Sequence, residues 1–365
     1  MIDYLIVGSG LFGSICAYEL NKFGYKCLVI EKRSHIGGNC FTENIDGIDI
    51  HSYGAHIFHT SNLGTWNFIN QFADFNHYRH HLKVNYRNKI YSFPINLLTL
   101  SQVFGITSPL DARKKLEEII IKIDSPSNLE EWILSKVGKE IYEIFIKGYT
   151  TKQWGREPKI LPTSIIKRVP IRMIYDDSYY DEKYQGIPIG GYTQIFEKLL
   201  DGIEVLKNID YFDNREYFDN ISKKIIYTGC IDKFYNYKFG KLEYRSCVFD
   251  KEFIDLSDFQ GVSVMNYTDI NVPYTRIIEH KHFEFGKQPN TIITKEYSIE
   301  GNQNNDFYYP INTIQNEYIY NNYKDLTKQE NRVIFGGRMA DYKYYDMNHV
   351  VELALNTIAK EKTIE

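Results

Sequence analysis

The sequence of 365 residues has only five cysteines, and no two of them stand at C-x-x-C spacing. Such a set suits neither a disulfide framework nor a cysteine metal centre, so we expect reduced thiols in a cytoplasmic protein. The ten histidines likewise form no set at metal-ligand spacing, and we predict no metal. Long apolar runs are also missing, and the first strand begins at residue 2 or 3. We therefore expect no signal peptide and no stable insertion into a membrane.

The chain also lacks a strong excess of charge of either sign. A formal net charge of -4 predicts no general attraction to nucleic acid or to an anionic membrane surface. Tyrosine is the abundant residue, with 31 copies. Many of these must cover core or surface, but a pocket for a sugar and a base would also use them. The length is sufficient for two or three domains with a large core.

The clearest motif opens the chain, where a short apolar strand is followed by glycines at G-x-G-x-x-G spacing. Residues 4–7 fit a strand buried on both faces of a parallel sheet, and residues 11–23 fit a helix. Gly8 would permit the tight turn, Gly10 the approach of a pyrophosphate, and Gly13 close packing of helix on strand. Amides at the helix N-terminus would bind the phosphates.

A second strand, residues 27–30, ends at Glu31, where an acidic side chain commonly bonds the ribose of a dinucleotide. The alternative for Glu31 is an ordinary solvated strand end. The glycine pair Gly37 and Gly38, followed by Asn39, comes soon after. A glycine pair at this place is typical of flavoproteins and uncommon in NAD domains, so the pattern favours FAD over NAD.

Three histidines, His51, His56 and His59, lie within nine residues of one another. We reject a metal site because no carboxylate or cysteine joins them at ligand spacing. They are expected either beside a flavin ring or sugar hydroxyls, or as hydrogen-bonded core histidines.

Residues 91–151 read as a helical insertion. Ser108 is the expected N-cap before Pro109, the residues from Ser127 to Glu130 form a capping-box pattern, and an apolar stripe continues to residue 145. Residues 145–155 mix aromatic and polar side chains around two glycines, which suits a binding wall better than a packed helix.

A basic segment between prolines, residues 162–172, predicts a surface loop, either a solvated linker or a mobile lid. The pair Asp176 and Asp177 predicts a turn in preference to a metal site.

From residue 203 to about 300, short β-rich runs separated by turn residues predict an antiparallel sheet, and residues 225–227 are one of these runs. Thr228 and Gly229, however, are typical of a strand end that returns to the first domain. Residues 333–337 repeat the strand-and-glycine pattern, and a helix is expected at 348–358.

The predicted fold class is therefore α/β: a discontinuous Rossmann-like FAD-binding domain with an inserted helical domain and an antiparallel-sheet domain. The expected boundaries are 1–90 for the first part of the FAD domain, 91–160 for the helical insertion, 161–305 for lid and sheet with a return near 225–235, and 306–365 for the last part of the FAD domain.

An ordered series of motifs resembles the prokaryotic UDP-galactopyranose mutase family over essentially the whole chain. The matching stretches are 7–13, 36–39, 53–60, 148–155, 168–170, 175–179, 190–193, 274–280, 308–310 and 337–338. The resemblance implies an FAD-dependent isomerase that interconverts UDP-galactopyranose and UDP-galactofuranose for cell-surface polysaccharides such as a capsule. Reduced flavin would act as the nucleophile, with its N5 attacking the anomeric carbon and no net redox change. A homodimer is also implied.

The resemblance further implies roles for individual residues. Those that would bind FAD are Gly8, Gly10, Leu11, Phe12, Gly13, Glu31, Lys32, Gly38, Asn39, His56, Ile57, Arg338, Asp346 and Met347. Those that would bind the UDP-sugar are Phe145, Tyr149, Thr150, Trp154, Arg168, Tyr179, Arg276, Tyr309 and Tyr344, with Tyr308 as the alternative to Tyr309. The implied catalytic residues are Arg168 and Arg276, which would hold the diphosphate, together with His59 and His56.

Three alternatives to this function stay open: a mutase that prefers UDP-N-acetylgalactosamine or another UDP-sugar, a flavin oxidoreductase, and a flavin-binding protein without catalysis. The arginine and tyrosine set favours a diphosphate-bearing substrate over the last two. The intact stretch from His56 to Thr60 predicts UDP-galactose as the main substrate, with His59 helping to set that preference.

Overall fold

The computed structural model describes residues 1–167, 169–302 and 306–364. The chain divides into two compact units. The first unit consists of Met1–His77, Glu182–Tyr244 and Tyr309–Glu365, and the second of Tyr78–Asp181 and Arg245–Tyr308.

The strands and helices of the described residues are as follows. The strands are β1 (Ile2–Val7), β2 (Cys27–Glu31), β3 (Thr42–Ile45), β4 (Ile48–His51), β5 (Phe58–Thr60), β6 (Leu82–Tyr86), β7 (Lys89–Phe93), β8 (Tyr184–Gly186), β9 (Glu204–Lys207), β10 (Ser222–Tyr227), β11 (Tyr244–Ile254), β12 (Val264–Tyr267), β13 (Arg276–Glu279), β14 (Thr291–Glu300), β15 (Tyr309–Pro310) and β16 (Val333–Phe335). The α-helices are α1 (Leu11–Lys22), α2 (Leu63–Ile69), α3 (Leu97–Phe104), α4 (Pro109–Ile119), α5 (Leu129–Ile141), α6 (Gly148–Trp154), α7 (Ser164–Lys167), α8 (Thr193–Leu199), α9 (Arg215–Ile221), α10 (Ile231–Phe234), α11 (Ile314–Thr327) and α12 (Met347–Ile364).

The first unit is built on a five-stranded parallel sheet in the order β16-β10-β1-β2-β9. Its strands β1 and β2 are buried on both faces, as the apolar run of β1 predicted, whereas the edge strand β9 is largely exposed. Tyr4 and Ile6 lie in one core cluster with Val351 of α12, whereas Leu5 lies in the other with Phe218 of α9. Helices on both faces of a parallel sheet are the doubly wound arrangement, and the Rossmann-like fold class is confirmed.

Strand β10 corrects one part of the sequence analysis. Residues 225–227 were expected among the antiparallel strands, but β10 pairs in parallel with β1 and β16, with Leu5 opposite Ile225. A short apolar run fits a central parallel strand as well as an antiparallel one, so the run alone does not distinguish them. The Thr228–Gly229 signal for a return to the first domain was the correct one.

The second unit contains a sheet in the order β11-β14-β13-β12-β6-β7. All its neighbouring strands are antiparallel except β12 and β6, which run in parallel. The long antiparallel pair β11 and β14 matches Arg245 to Glu300 at one end and Ile254 to Thr291 at the other. The predicted antiparallel sheet is thus confirmed for the strands of this unit.

The helical part of the second unit begins as expected and then departs from the prediction. Ser108 caps α4 by accepting a hydrogen bond from the Asp111 amide at 3.1 Å, and Pro109 occupies the first turn. The helix ends at Ile119, and Ile120 already has an extended backbone conformation, so the insertion is not helical without interruption. The residue at which a helix ends depends on the hydrogen bonds of its last backbone groups. The spacing of apolar residues does not indicate those hydrogen bonds.

The next helix starts one residue later than the capping-box pattern predicted. Asn128, and not Ser127, is the N-cap of α5, because its side chain accepts from the Glu131 amide at 3.0 Å. Ser127 instead donates from its amide and its hydroxyl to the Glu131 carboxylate. Asparagine and serine are comparable N-caps, so two adjacent candidates cannot be ranked by residue type.

The apolar stripe of α5 is core as far as Val137, but Gly138 interrupts the helix with φ 74° and ψ 179°. A Cβ at Gly138 would lie 2.6 Å from the Ile119 carbonyl oxygen, so the close approach of backbone requires glycine there. A π-helical segment, Tyr142–Lys147, then leads into α6. No helix in the described part of the chain combines the length and apolar character that crossing a bilayer requires.

Candidate functional site

The first glycine turn lies between β1 and α1 in the first unit. Gly8 has φ 105°, and its amide donates to the Ile30 carbonyl at 2.8 Å. A Cβ on Gly8 would overlap the Thr228 hydroxyl, and one on Gly13 would overlap the Gly8 carbonyl oxygen. The fold itself therefore requires glycine at positions 8 and 13.

Gly10 is different, because the surrounding protein does not exclude a side chain there. A Cβ at this position would come no closer than 4.0 Å to another atom, namely Cα of Gly38. Its amide stands at the start of α1, with Gly10 as the N-cap and no side-chain cap. A glycine that the fold does not need, at the N-terminus of a helix, fits a site where backbone must approach a phosphate.

The second glycine turn packs against the first. Gly37 has φ 93° and donates from its amide to the Ser9 carbonyl at 3.1 Å. Gly38 has φ 55°, and its backbone lies against that of Gly10. The two turns that the sequence analysis assigned to the cofactor are thus adjacent within one unit.

Glu31 is buried, so the solvated-strand-end alternative is wrong. Its Oε2 accepts from the Ser9 amide at 2.9 Å and the Ser9 hydroxyl at 2.8 Å, and its Oε1 accepts from the Arg33 amide at 2.9 Å. The carboxylate therefore fixes the first glycine turn. Within the described part of the chain Oε1 accepts only the hydrogen bond from Arg33, so its second lone pair leaves acceptor capacity for a ribose hydroxyl. Sequence reasoning missed Ser9, although its place between two glycines of the motif marks it.

The C-terminal segment that contains Gly336 and α12 packs against α1 and the second glycine turn. A Cβ on Gly336 would overlap the ring of Phe12, which is buried in the core. Any contact of Phe12 with a cofactor would therefore come from its backbone. Cys40, just after the second turn, donates its thiol to the Met347 sulfur at 3.7 Å. Helix α12 thus begins beside the second glycine turn, as expected for a dinucleotide domain closed by the end of the chain.

Three residues assigned to flavin or substrate form a stack within the first unit. The rings of Tyr309 and Tyr344 are parallel to within 20°, with centroids 5.4 Å apart. The Arg338 guanidinium lies 5.1 Å from the Tyr344 ring centroid, and it donates to the Tyr345 carbonyl at 2.6 Å. A cation over a phenol stack offers one positive charge and two hydroxyl groups to a ligand.

The three histidines of residues 47–60 have separate environments. His51 is buried and accepts from the His56 amide at 3.2 Å, and His56 places Nδ1 2.8 Å from the Gly54 carbonyl. His59 lies on β5 and places Nδ1 3.2 Å from a carboxylate oxygen of Glu182. Burial lowers the pKa of His59, although Glu182 and Asp346 oppose that shift. Near neutral pH His59 is therefore an uncharged ring beside Glu182, a neighbour that sequence reasoning missed.

In the second unit, the stretch predicted as a binding wall is helical from residue 145 to residue 154, and Gly155 is the C-cap of α6. Phe145 is buried between Tyr91 and Phe93, with ring centroids 5.4 and 6.1 Å away, so its side chain belongs to the core. Thr150 and Trp154 are also buried, whereas Tyr149 is partly exposed. The roles of these residues in substrate binding stay predictions.

Arg276 lies on β13 opposite Glu296 of β14. Its Nη2 is 3.0 Å from Oε1 of Glu296, which is almost fully buried. The neighbouring strand therefore holds the guanidinium in place. Arg168, the other arginine assigned to the diphosphate, lies outside the described residues.

Tyr179 follows the aspartate pair of the second unit. Its amide donates to the His80 carbonyl at 2.8 Å. Asp177 accepts from His81 at 2.8 Å and from Lys83 at 2.6 Å. Of the two candidates at residues 308 and 309, Tyr308 is buried and its amide donates to the Arg245 carbonyl, whereas Tyr309 is partly exposed and belongs to the stack.

Comparison with known proteins agrees with this geometry. Residues 144–344 match the family model described as UDP-galactopyranose mutase, and residues 6–72 match an NAD(P)-binding Rossmann-like domain. The chain is 41% identical to the probable UDP-galactopyranose mutase of Klebsiella pneumoniae, over 97% of this chain and 93% of that protein. It is 39% identical to the dTDP-fucopyranose mutase of Escherichia coli, over 97% of each. A crystal structure of reduced UDP-galactopyranose mutase superposes with a TM-score of 0.78 at 14% identity, covering 100% of this chain and 94% of the other.

The protein is an FAD-dependent isomerase with a Rossmann-like nucleotide domain. It belongs to the UDP-galactopyranose mutase family. The family resemblance, the enzyme class and the cofactor inferred from the sequence are thereby confirmed.

Proposed function

We propose that the enzyme interconverts UDP-galactopyranose and UDP-galactofuranose. The observation that carries the proposal is the pairing of a glycine cradle at Gly10 and Gly38 with the Arg338–Tyr344–Tyr309 stack in one unit. The cradle fits a dinucleotide, and the stack offers a cation and hydroxyl groups to an anionic ligand. Two relatives named as UDP-galactopyranose mutases align with 97% of this chain, at 41% and 32% identity, and this similarity supports the same reaction.

The residues present fit bound FAD. Backbone amides at the start of α1 and the unfilled space at Gly10 fit its diphosphate, and the buried Glu31 fits a ribose hydroxyl. When bound and reduced, the flavin supplies a nucleophilic nitrogen for the anomeric carbon of the sugar. Among the proposed site residues that the structure describes, none form a nucleophile, base and acid set in the usual catalytic arrangement.

The task of the side chains is therefore to bind and orient the nucleotide sugar and to stabilise its diphosphate. Breaking the anomeric bond places negative charge on the diphosphate, and preformed cations and hydroxyl donors stabilise that charge. We assign this role to Arg168 and Arg276, with Tyr179, Tyr309 and Tyr344 as hydroxyl donors. The ion pair of Arg276 with Glu296 favours a fixed orientation of its guanidinium.

A second substrate has support of its own. The relative from Escherichia coli is named dTDP-fucopyranose mutase, and its identity of 39% is close to the 41% of the Klebsiella pneumoniae relative. A dTDP-6-deoxyhexose is therefore the second candidate, beside the UDP-N-acetylgalactosamine considered from the sequence. In each case the reaction would be the same ring contraction on a nucleoside diphosphate sugar.

The finer assignments rest on the family. We infer a cytoplasmic homodimer that acts in cell-surface polysaccharide synthesis, for example of a capsule, and in which the segment that contains α7 acts as a lid over the substrate.

The test is an anaerobic assay of the reduced enzyme against UDP-galactopyranose, UDP-N-acetylgalactosamine and dTDP-fucopyranose, with products separated by chromatography. We expect the largest kcat/KM for UDP-galactopyranose. A larger value for dTDP-fucopyranose would transfer the assignment to the second candidate. Net oxidation of the sugar, or no conversion of any of the three, would refute a mutase.

A further inference from the structure

Lys152 of α6 has an unusual set of partners in the second unit. Its ammonium nitrogen lies 2.7–2.9 Å from four backbone carbonyl oxygens, those of Tyr267, Asp269, Val272 and Tyr274. Three of these residues belong to the loop that joins β12 to β13, and Tyr267 is the last residue of β12. An ammonium has three protons, so these oxygens share it and together form a cation site made wholly of backbone dipoles. We call this set of oxygens the carbonyl cage.

The cage needs its cation. Burial lowers the pKa of Lys152 to about 8, which reflects how far the ammonium is removed from water. Without the Lys152 side chain, four carbonyl oxygens would point at one another with no ammonium between them. Leaving these partly buried acceptors without the ammonium is costly, so the loop would rearrange.

The caged loop is bound to the same helical segment at a second place. The Thr268 hydroxyl donates to the Ile144 carbonyl at 2.6 Å, and a Cβ on Gly148 would overlap the Thr268 carbonyl oxygen. The loop then leads directly into Arg276, the first residue of β13. Lys152 therefore connects the helix that carries Tyr149 to the strand that carries Arg276.

We propose that Lys152 is a positioning residue, whose caged ammonium sets the loop before Arg276 relative to the helix that carries Tyr149 and Trp154. This inference rests on the proposed function only in taking those residues as nucleotide-sugar contacts. Lys152 itself binds four carbonyls and acts through Arg276 and the helix, not on the substrate.

The geometry of the carbonyl cage predicts which free cations can replace the Lys152 ammonium. Rings of carbonyl oxygens can replace the hydration shell of K⁺. Ammonium is similar to K⁺ in size and is also the head group that Lys152 supplies, whereas Na⁺ is too small to reach all four oxygens. If Lys152 is shortened to alanine, NH₄⁺ or K⁺ should enter the cage and restore the loop.

The experiment measures the Kd of UDP and of dTDP, and kcat and KM of the reduced holoenzyme, for the wild type and Lys152→Ala. Each is titrated with NH₄Cl, KCl or NaCl at equal ionic strength. We expect a rise in nucleotide Kd and in KM of about tenfold or more, a smaller change in kcat, and recovery of at least threefold with NH₄⁺ or K⁺ but not Na⁺. Lys147→Ala is the matched control, because it removes an exposed, ion-paired lysine from the same segment.

Lys152→Gln covers the case in which the alanine variant does not fold. It keeps two donors but loses the charge, and we expect the same rise in nucleotide Kd. A Kd and KM within twofold of the wild type in either variant would overturn the inference. So would a loss that NH₄⁺ and K⁺ do not reverse in Lys152→Ala, which would indicate a general loss of stability. If both variants fail to fold, Lys152 is required for folding and not specifically for positioning the loop, and the inference is also refuted.

These outcomes separate the inference from the proposed function. A wild type that binds UDP or dTDP but converts no sugar refutes the proposed function, and the nucleotide Kd still tests Lys152. A wild type with full mutase activity and an unaffected Lys152→Ala variant refutes the inference alone. A wild type that binds neither nucleotide refutes both.

Discussion

A Cβ placed on Gly38 would lie 3.0 Å from Cα of Gly10, so the two glycine turns of the first unit meet backbone to backbone. These residues are 28 positions apart in the sequence, and the contact joins the loop after β1 to the loop after β2. It leaves a strip of backbone without side chains beside the N-terminus of α1. Such a strip lets a diphosphate reach the amide groups of a helix N-terminus.

Gly10→Ala should weaken FAD binding without unfolding the protein. The added methyl group meets only ordinary contacts in the protein, but it would occupy the space expected for the phosphates. We expect a Kd for FAD at least tenfold higher, corresponding to about 1.4 kcal/mol, with a denaturation midpoint of the apoprotein near that of the wild type.

Gly13→Ala is the comparison for this prediction. A Cβ there overlaps the Gly8 carbonyl, so this variant should lose stability even without FAD. Wild-type FAD affinity in Gly10→Ala would show that position 10 does not border the cofactor.

The second prediction concerns the redox state of the flavin. The purified protein should be yellow, should hold FAD non-covalently, and should convert its sugar substrate only after the flavin is reduced. The measurement is product formation under anaerobic conditions with and without dithionite, using natural FAD and an analogue without a nucleophilic N5. Full activity with oxidised flavin or with the analogue would rule out the nucleophilic role.

Arg168→Ala tests the cation assigned to the diphosphate. If Arg168 stabilises the charge that develops on the leaving group, its loss should cost on the order of 2–4 kcal/mol, or about 30- to 1,000-fold in kcat/KM. Arg168→Lys should recover little, since an ammonium lacks the planar fork of a guanidinium. The measurement is kcat/KM of the reduced enzyme at matched FAD content.

Lys167→Ala is the control for the Arg168 prediction, because it removes an exposed positive charge from the adjacent position. A loss of less than about fivefold for Arg168→Ala would identify Arg168 as a surface charge of the ordinary kind.

His282 should make the stability of the second unit depend on pH. Its Nε2 lies 3.3 Å from a carboxylate oxygen of Glu279 and 3.4 Å from one of Asp258. Hydrogen bonding to Glu279 raises the pKa of His282 above its ordinary value of 6.5, an effect that burial partly opposes. The stabilisation from the protonated ring is therefore complete below about pH 6.5, and it is lost as the pH rises through the raised pKa.

The corresponding measurement is the urea midpoint of wild type and His282→Gln between pH 5.5 and 9. We expect the wild type to have a higher urea midpoint than His282→Gln at pH 5.5. The difference between the two midpoints should narrow as the pH rises. His77→Gln, at an exposed histidine of the first unit, is the comparison variant. A difference that stays constant or widens with pH would contradict the assignment.

Local patterns were sufficient to predict the start and the end of the nucleotide domain. The apolar run of β1, the glycines at positions 8, 10 and 13, and the later strand β16 followed by α12 each depend on residues close in the chain. The spacing of these residues predicts the local backbone geometry directly, because a tight turn or a helix start restricts which residue types can occupy its positions.

Tertiary structure alone decided how the separate pieces of the site are supported. The parallel position of β10, the Glu182 partner of His59 and the contact between Gly10 and Gly38 all join residues far apart in the sequence. The cage around Lys152 is the extreme case, since its four ligands are backbone carbonyls that every residue possesses. No residue type marks such a site, and only the path of the folded loop brings the oxygens to one point.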